Sequence, residues 1–199
     1  HAEEVGVDVY KVIEACNSQP YSHVHRPGIS VGGHCIPVYP RLYLSTDERQ
    51  SLVKEARHLN AEMPRISVSL IDRAVGGLGG MEVLILGLAY RPGVKEDAYS
   101  GTYQLSAALC AAGAIPIVID PLYTGEEIAD RGLTPFQPGH EPTVLILHTD
   151  HNEFLELGPQ DFPNVTCVFD GRGLLTEDTW PNTLFLSLGQ PGLKRRGQN

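Results

Sequence analysis

Five short apolar runs after residue 80 most constrain the fold of this chain. The runs that predict buried strands are residues 81–90, 114–121, 143–149, 165–172 and 183–189. A helix with an apolar face is predicted over 102–112, with Ser100 as its N-cap, and a shorter helix over 126–131. Apolar strands of this length that alternate with helices are typical of parallel βαβ units. The sequence therefore predicts an α/β domain with a doubly wound, Rossmann-like parallel sheet.

The residues before these strands follow a helical pattern instead. Apolar residues recur at helical spacing over 5–16, where Asp8 can serve as N-cap, and again over 46–74. Pro64 interrupts the second stretch and is expected either to begin another helix or to kink one long helix. Between the two stretches, residues 19–43 hold four prolines and three glycines. A long loop without regular structure is predicted there, and such loops are usually functional.

A cluster of glycines marks the clearest domain boundary in the sequence. Its members are Gly76, Gly77, Gly79 and Gly80. The cluster divides the chain into a helical segment, residues 1–80, and an α/β domain, residues 81–199. Because the sequence begins with His1 rather than Met, we expect a fragment with a further domain in front.

The charge and the cysteines limit the class of protein. Fifteen Lys and Arg against 24 Asp and Glu give a formal net charge of −9 over 199 residues, which argues against binding to nucleic acid or to an anionic membrane. No apolar run approaches the roughly 18 residues of a membrane span. The four cysteines show no repeating spacing and are typical of reduced thiols, so a cytoplasmic protein is expected. Three of them, Cys16, Cys110 and Cys167, are expected to be small structural hydrophobes.

The ends of two predicted strands offer groups for an anionic ligand. Gly87 follows the first strand, where a dinucleotide fold places its phosphate loop, but the G-x-G-x-x-G fingerprint is absent. NAD binding of the usual kind is therefore not expected in this domain. Tyr90 and Arg91 also follow the first strand, and Arg172 follows the fourth. Paired guanidinium groups at the carboxyl ends of strands suit a diphosphate, and surface ion pairs are their alternative role.

The most specific feature is the segment 26–40, which reads RPGISVGGHCIPVYP. Gly32 and Gly33 allow the backbone to approach a ligand closely. His34 offers a donor that favours the thiolate of the neighbouring Cys35. Cys35 is therefore a candidate nucleophile, and an unreactive loop cysteine is the alternative.

A zinc site is a further alternative for the same region. The candidate ligands are His23, His25, His34 and Cys35. Adjacent ligands such as the last two strain tetrahedral closure around zinc. The sequence therefore predicts no metal site.

Segment 27–40 resembles the active-site stretch PGxGVGGHCIPVDP of the UDP-glucose/GDP-mannose dehydrogenase family. Five further stretches resemble motifs of that family in the same order: NAEMP (60–64), LILGLAYRPGVKED (84–97), IDP (119–121), HTDH (148–151) and FDGR (169–172). The resemblance covers nearly the whole chain. It implies the central helical segment followed by the C-terminal, nucleotide-binding domain of such an enzyme.

The resemblance also implies a reaction. Members of the family oxidise the C6 hydroxymethyl group of a UDP- or GDP-linked hexose to a carboxylate in two NAD-dependent steps. Cys35 falls on their nucleophile, which forms a thiohemiacetal and then a thioester that water cleaves. The positions expected to contact the substrate are Gly32, Gly33, His34, Tyr39, Tyr90, Arg91 and Arg172.

Cofactor and partners follow from the same resemblance. NAD would be bound mainly by an N-terminal Rossmann domain that is not in this chain, so the chain alone is expected to be inactive. The helix around 51–74 would form a homodimer interface. The sugar stays open among UDP-linked glucose, N-acetylglucosamine or N-acetylmannosamine and GDP-mannose, with a lean toward N-acetylhexosamines.

Three positions depart from the family pattern. Tyr39 stands where the family usually has an Asp four residues after the cysteine, Ala98 stands at an expected Arg, and Tyr21 at another. A tyrosine hydroxyl, with a pKa near 10, is a poorer base at neutral pH than a carboxylate. The departures at Tyr39 and Ala98 support an alternative function, a module that dimerises and binds a nucleotide sugar without oxidising it.

Overall fold

A computed structural model describes residues 1–46, 49 and 51–191, so the last eight residues of the predicted α/β domain lie outside the described residues. The helices are α1 (Ala2–Val5), α2 (Val9–Asn17), α3 (Cys35–Leu44), α4 (Leu52–Val75), α5 (Gly101–Ala111), α6 (Gly125–Asp130) and α7 (Asn152–Leu155). The strands are β1 (Glu82–Leu86), β2 (Ile115–Ile119), β3 (Val144–Leu147), β4 (Cys167–Asp170) and β5 (Leu184–Ser187). A short 3-10 turn covers Glu177–Thr179.

The five strands form one parallel sheet in the order β2-β1-β3-β4-β5. Each strand lies inside one of the five predicted runs, and α5 and α6 follow the predicted helices closely. The α/β fold with a Rossmann-like parallel sheet is therefore confirmed. The direction of winding reverses between β1 and β3, and in such sheets a crevice opens at that point beyond the carboxyl ends of the strands.

Both faces of the sheet are covered, which explains the nearly continuous apolar strands. One face packs against α4 and α5 through Val68, Ile71, Leu105 and Leu109. The other face packs against Phe154 of α7, Phe162 of the segment between α7 and β4, and Trp180, which directly follows the 3-10 turn. Within the described part of the chain, no helix has the length and apolarity needed to cross a membrane.

The helices before the sheet begin and end at the predicted signals. The carboxylate of Asp8 accepts hydrogen bonds from the amides of Tyr10 (2.9 Å) and Lys11 (3.3 Å) at the start of α2. α4 is one helix of 24 residues with Pro64 inside it, so no second helix begins there. Gly76, with φ of +80°, ends α4 in the left-handed conformation that glycine favours.

The prediction that 19–43 lacks regular structure is wrong for its last part, because residues 35–44 form α3. Pro37 is the third residue of this helix, where the missing N–H would have no helical partner. Pro40 lies further inside and removes one intrahelical bond. Residues 19–34 are irregular, as predicted.

The three cysteines expected to be structural do not share one environment. Cys167 is buried in β4, whereas Cys16 and Cys110 are exposed. The expectation of a small core hydrophobe therefore fails for these two, because their positions on α2 and α5 face solvent.

Candidate functional site

The cysteine segment, residues 26–35, lies across the carboxyl end of β4. Ile29 is only 1% exposed and belongs to the main core. A Cβ added to Gly171, just after β4, would come within 2.7 Å of the Ile29 side chain. Gly28 packs directly against the guanidinium of Arg172. The segment is therefore docked on the edge of the sheet where ligands of this fold class bind.

Two backbone clamps hold the middle and the end of the cysteine segment. The side chain of Asn60, in α4, accepts from the amide of Val31 (2.9 Å) and donates to the Val31 carbonyl (3.4 Å). The amide of Gly33 donates to the carbonyl of Ala98 (2.8 Å). The segment is thus connected both to the helix before the sheet and to the loop after β1.

The glycine pair makes its closest approach to Tyr90 and Tyr99 of this chain. A Cβ on Gly32 would lie 2.7 Å from the Tyr99 carbonyl oxygen and 2.9 Å from the Cβ of Tyr90. A Cβ on Gly33 would lie 2.9 Å from the Tyr90 ring, and its φ is +87°. Both positions therefore require glycine for packing, and Gly33 requires it for backbone conformation as well, whatever they contact in a ligand.

Cys35 is exposed and is the first residue of α3. The N-terminal end of a helix favours negative charge, which suits a thiolate. His34 precedes it as N-cap without a side-chain capping bond. Tyr39 follows one turn later on the same side of the helix and is 64% exposed. Cys35 and Tyr39 thus form an open, solvent-facing surface at the start of α3.

The predicted anion-binding residues lie beside the cysteine segment. Tyr90 contacts Gly33, and the Arg91 guanidinium carbon lies 5.6 Å from the centre of the Tyr90 ring. Nε of Arg172 lies 3.0 Å from Oδ1 of Asp150, an ion pair in which the N–H is not aligned for a hydrogen bond. The structure therefore brings Tyr90 and Arg172 to the cysteine segment and gives Arg172 a carboxylate partner, as the surface-pair alternative expects.

The zinc alternative has no geometric support in residues 1–46, 49 and 51–191. No group of three or more His, Cys, Asp or Glu there could hold a metal ion. The rings of His23 and His25 instead contact each other, edge to face, with centroids 5.1 Å apart.

Asp120, at the end of β2, has a role that the sequence analysis missed. Its buried carboxylate accepts from the amides of Leu88 (2.7 Å) and Ala89 (2.9 Å) and contacts Nε2 of His151 at 3.2 Å. Burial alone would raise the pKa of Asp120, but the hydrogen bonds from His151 and from the backbone lower it below its usual range. The IDP motif marked this position without revealing its contacts.

The contacts of Asp120 decide whether this domain suits NAD. In a dinucleotide fold the amides after the first strand bind pyrophosphate. Here those amides are bound by a carboxylate, and the side chain of Thr149 fills the space beside Gly87. The residues at the end of β1 therefore do not fit NAD in the usual position.

Asp170, at the end of β4, shapes the turn that carries Arg172. Its two carboxylate oxygens accept four backbone amides, those of residues 172–175, at 2.7–2.9 Å. Burial raises the pKa of Asp170, whereas the four amides favour its ionised form. The FDGR motif thus combines a carboxylate that holds the turn with an arginine at the site.

A cavity of about 530 Å³ lies near the point where the winding of the sheet reverses. Its lining comes from the segments that follow β1, β2, β3 and β4: Pro92, Gly93, Leu122, Asp150, His151, Asn152, Glu153, Leu155 and Leu174. Asp150, one of the lining residues, pairs with Arg172. A cavity of this size can hold a small organic ligand.

Comparison with known proteins gives the family of the chain. The model of the UDP-glucose/GDP-mannose dehydrogenase family, central domain, matches residues 1–62, and the model of its UDP binding domain matches residues 84–177. The UDP-N-acetyl-D-mannosamine dehydrogenase of Pyrococcus horikoshii is 29% identical over 184 residues, which are 88% of this chain and 43% of that protein. That of Methanocaldococcus jannaschii is 25% identical over 90% of this chain and 43% of its own length.

Solved structures agree with the sequence relatives. The UDP-D-ManNAc dehydrogenase from Pyrococcus horikoshii superposes with a TM-score of 0.78 at 25% identity, over 96% of this chain and 46% of that one. A UDP-glucose dehydrogenase from Pyrobaculum islandicum gives the same TM-score and identity, over 95% and 45%. The chain thus spans less than half the length of these relatives. It belongs to the UDP-glucose/GDP-mannose dehydrogenase family, with matches to the central and UDP-binding domains.

Proposed function

We propose that this chain is the part of an NAD-dependent nucleotide-sugar 6-dehydrogenase that carries the thiol nucleophile and binds the nucleotide sugar. One observation carries the proposal: the cysteine segment is docked on the carboxyl edge of the sheet, with Gly28 against Arg172 and Gly33 against Tyr90. A ligand that reaches from the sheet edge toward the start of α3 would meet both an anion-binding group and the thiol.

The nucleotide diphosphate would bind at the sheet edge. Arg172 and Arg91 supply guanidinium groups for its oxygens, and Tyr90 lies between Arg91 and the glycine pair. The ion pair of Arg172 with Asp150 would orient the free side of the guanidinium. Gly32, Gly33, His34 and Tyr39 would contact the sugar.

The proposed chemistry takes place at Cys35. Its thiolate adds to the C6 aldehyde carbon to give a thiohemiacetal, loss of a hydride from that carbon gives a thioester, and water then releases a carboxylate and the thiol. NAD supplies the hydride acceptor for both oxidation steps. Because the end of β1 does not fit NAD, we propose that the cofactor is bound mainly outside the residues of this chain, which alone would be inactive.

Substrate and partners are proposed on separate grounds. The names of the relatives favour UDP-N-acetyl-D-mannosamine among the nucleotide sugars. Leu52 and Leu59 are exposed apolar residues of α4, which fits a homodimer through the predicted 51–74 interface. Cysteines 16, 35, 110 and 167 are free thiols, which fits the cytoplasm.

A thermal-shift panel tests the binding half of the proposal. The chain is heated with UDP-N-acetylmannosamine, UDP-N-acetylglucosamine, UDP-glucose or GDP-mannose. A nucleotide sugar present at about 100 times its Kd stabilises the fold by about 2.7 kcal/mol, which is a shift of several degrees in Tm. Arg172→Ala should abolish the shift, whereas Arg73→Ala, on the exposed side of α4, should retain it. The proposal fails if no nucleotide sugar raises Tm, or if Arg172→Ala leaves the shift intact.

A second candidate function, a binding and dimerisation module without oxidation, is favoured by Tyr39 and Ala98 at two positions where the family has functional groups. Cys35→Ala in the full-length protein separates the two functions. An oxidase loses formation of the uronic acid, whereas a binding module keeps its affinity and has no acid product to lose. NAD reduction by the present chain alone, with any nucleotide sugar, would overturn the proposed place of the NAD site.

A further inference from the structure

The loop that follows β1 contacts the cysteine segment and supports it. We call residues 94–100 the support loop. The carbonyl of Ala98 accepts from Gly33 (2.8 Å), and the carbonyl of Tyr99 borders Gly32. The guanidinium carbon of Arg41, in α3, lies 5.1 Å from the centre of the Tyr99 ring. The support loop therefore touches the chain on both sides of Cys35.

The support loop is itself anchored through Asp97. The carboxylate of this residue accepts from the hydroxyl of Tyr103 in α5 and from Nε of Arg131 at the end of α6 (2.9 Å). The hydroxyl of Tyr123 donates to it at 3.3 Å. Side-chain exposure of Asp97 is only 19%. Three donors, from α5, from the end of α6 and from the loop between β2 and α6, thus meet at one carboxylate.

A second tether holds the start of the same loop. The ammonium group of Lys95 pairs with the carboxylate of Glu127 in α6, and it lies 5.3 Å from the centre of the Tyr123 ring. The Arg131 guanidinium carbon lies 4.9 Å from the same ring. The ion pair and the cation–ring contacts therefore fix the support loop to the sheet domain.

The protonation states keep this anchor intact at neutral pH. Burial alone would raise the pKa of Asp97, but the hydrogen bonds of Tyr103 and Arg131 lower it below its usual range. Burial and the hydrogen bond to Asp97 raise the pKa of Tyr103 to about 12. The carboxylate thus stays ionised, and the phenol keeps the proton that it donates.

We propose that Asp97 is a positioning residue for Cys35, because it fixes the Ala98 carbonyl that holds Gly33 two residues before the thiol. The inference rests on the proposed function, in which Cys35 is the reacting group. Asp97 is not expected to touch the substrate, since its oxygens face Tyr103, Tyr123 and Arg131.

The inference predicts a change in the chemistry of one thiol. When the anchor is lost, the bond from Gly33 to Ala98 weakens and the first turn of α3 frays. The thiolate of Cys35 is then no longer stabilised by the N-terminal end of α3. This loss is about 0.3–1 kcal/mol, which corresponds to about a two- to fivefold slower alkylation of the thiol.

The test measures alkylation by iodoacetamide at each cysteine by mass spectrometry, well below Tm. In Asp97→Asn, labelling of Cys35 at pH 7 should slow about two- to fivefold, whereas the exposed Cys16 and Cys110 serve as internal references. The matched control is Asp130→Asn, the same charge change at an exposed residue of α6, which should label like the wild type. Tyr103→Phe removes one donor without changing shape and should give a smaller change in the same direction.

Hydrogen exchange provides the second measurement. Peptides that contain Gly33 should exchange faster in Asp97→Asn and Tyr103→Phe than in Asp130→Asn. If Asp97→Asn does not fold, Tyr103→Phe alone decides. Folded variants with wild-type labelling of Cys35 and wild-type exchange overturn the inference. Neither measurement uses a nucleotide, so failure here is distinct from failure of the thermal-shift test of the proposed function.

Discussion

Asn60 connects α4 to the cysteine segment with a single side chain. Its amide pairs with both the N–H and the carbonyl of Val31 (2.9 and 3.4 Å), as a neighbouring strand would. A net contribution of about 0.5–1.5 kcal/mol is usual for one such hydrogen bond. The NAEMP motif therefore holds the loop that leads to Cys35, four residues beyond Val31.

Replacement of Asn60 should loosen this connection. We expect Asn60→Ala to lower the free energy of unfolding by about 1–2 kcal/mol and to speed hydrogen exchange at Val31. The control is Asn164→Ala, an exposed asparagine between α7 and β4, which should change stability by less than about 0.5 kcal/mol. Denaturant titration with exchange mass spectrometry checks both. Equal effects of the two substitutions would contradict a clamp by Asn60.

Single residues in this chain were predictable where their signal is local. Asp8 and Ser100 cap α2 and α5 as expected, because a cap depends only on the next three residues. Asp120 and Asp170 were recognised as parts of motifs, but their roles were not, since they bind backbone amides. An amide partner carries no side-chain signature in the sequence, and for Asp120 those amides lie 31 and 32 residues away.

The elements of the sheet were predictable for a physical reason. β1, β3 and β4 are almost completely buried and the edge strands β2 and β5 are buried in part, so each run of apolar residues stands out against the polar segments beside it. α3 was not predictable in the same way, because Pro37 and Pro40 resemble loop residues and the chain just before them is irregular. The helix forms because Pro37 falls in its first turn, and that depends on where the helix begins.

Gly87 lies where the carboxyl ends of β1 and β3 approach each other closely. A Cβ at this glycine would lie 2.9 Å from the amide nitrogen of Thr149 and still closer to the Thr149 side chain, and φ is +111°. Gly93 also has a positive φ, +69°, but open space around it. Both glycines thus have a positive φ that would strain any residue with a side chain, and they differ in the space available to one.

Substitution by alanine should separate these two effects. Gly93→Ala should cost about 1–2 kcal/mol of unfolding free energy from backbone strain alone. Gly87→Ala should cost a further about 1–3 kcal/mol, because the added methyl group must displace Thr149. Denaturant titration of both variants measures the difference. If Gly87→Ala is no more destabilising than Gly93→Ala, the contact between the ends of β1 and β3 is looser than described.

At the scale of the whole molecule, the helical segment and the sheet share one core. Val68 and Ile71 of α4 pack with Leu105 and Leu109 of α5 on one face of the sheet. The division into a helical segment, residues 1–80, and an α/β domain, residues 81–199, stays a prediction. What the sequence could not provide was the docking of the cysteine segment, because it depends on contacts between residues such as Gly33 and Ala98 that lie far apart in the chain.

His148 is a buried histidine that directly follows β3. It is 7% exposed, and its Nδ1 lies 3.2 Å from the hydroxyl of Thr102 and 3.0 Å from that of Thr149. Burial, followed by the positive charge of Arg172, lowers the pKa of His148 from 6.5 to about 4. The folded protein therefore keeps this imidazole neutral at a pH where the unfolded chain protonates it.

This difference in pKa makes stability depend on pH with a definite sign. Between pH 4 and 6.5 the unfolded state binds more protons at His148 than the folded state does. The contribution of His148 to the free energy of unfolding is therefore complete above pH 6.5 and is lost as the pH drops toward 4. The loss from this residue should be about 2 kcal/mol between pH 7 and pH 5. His148→Gln should remove that part of the pH dependence, whereas His58→Gln, on the exposed side of α4, should not. Denaturant titrations at pH 5, 6 and 7 measure the free energy of unfolding at each pH. If this free energy changes equally with pH in the wild type and in His148→Gln, His148 is not the group that couples protonation to unfolding.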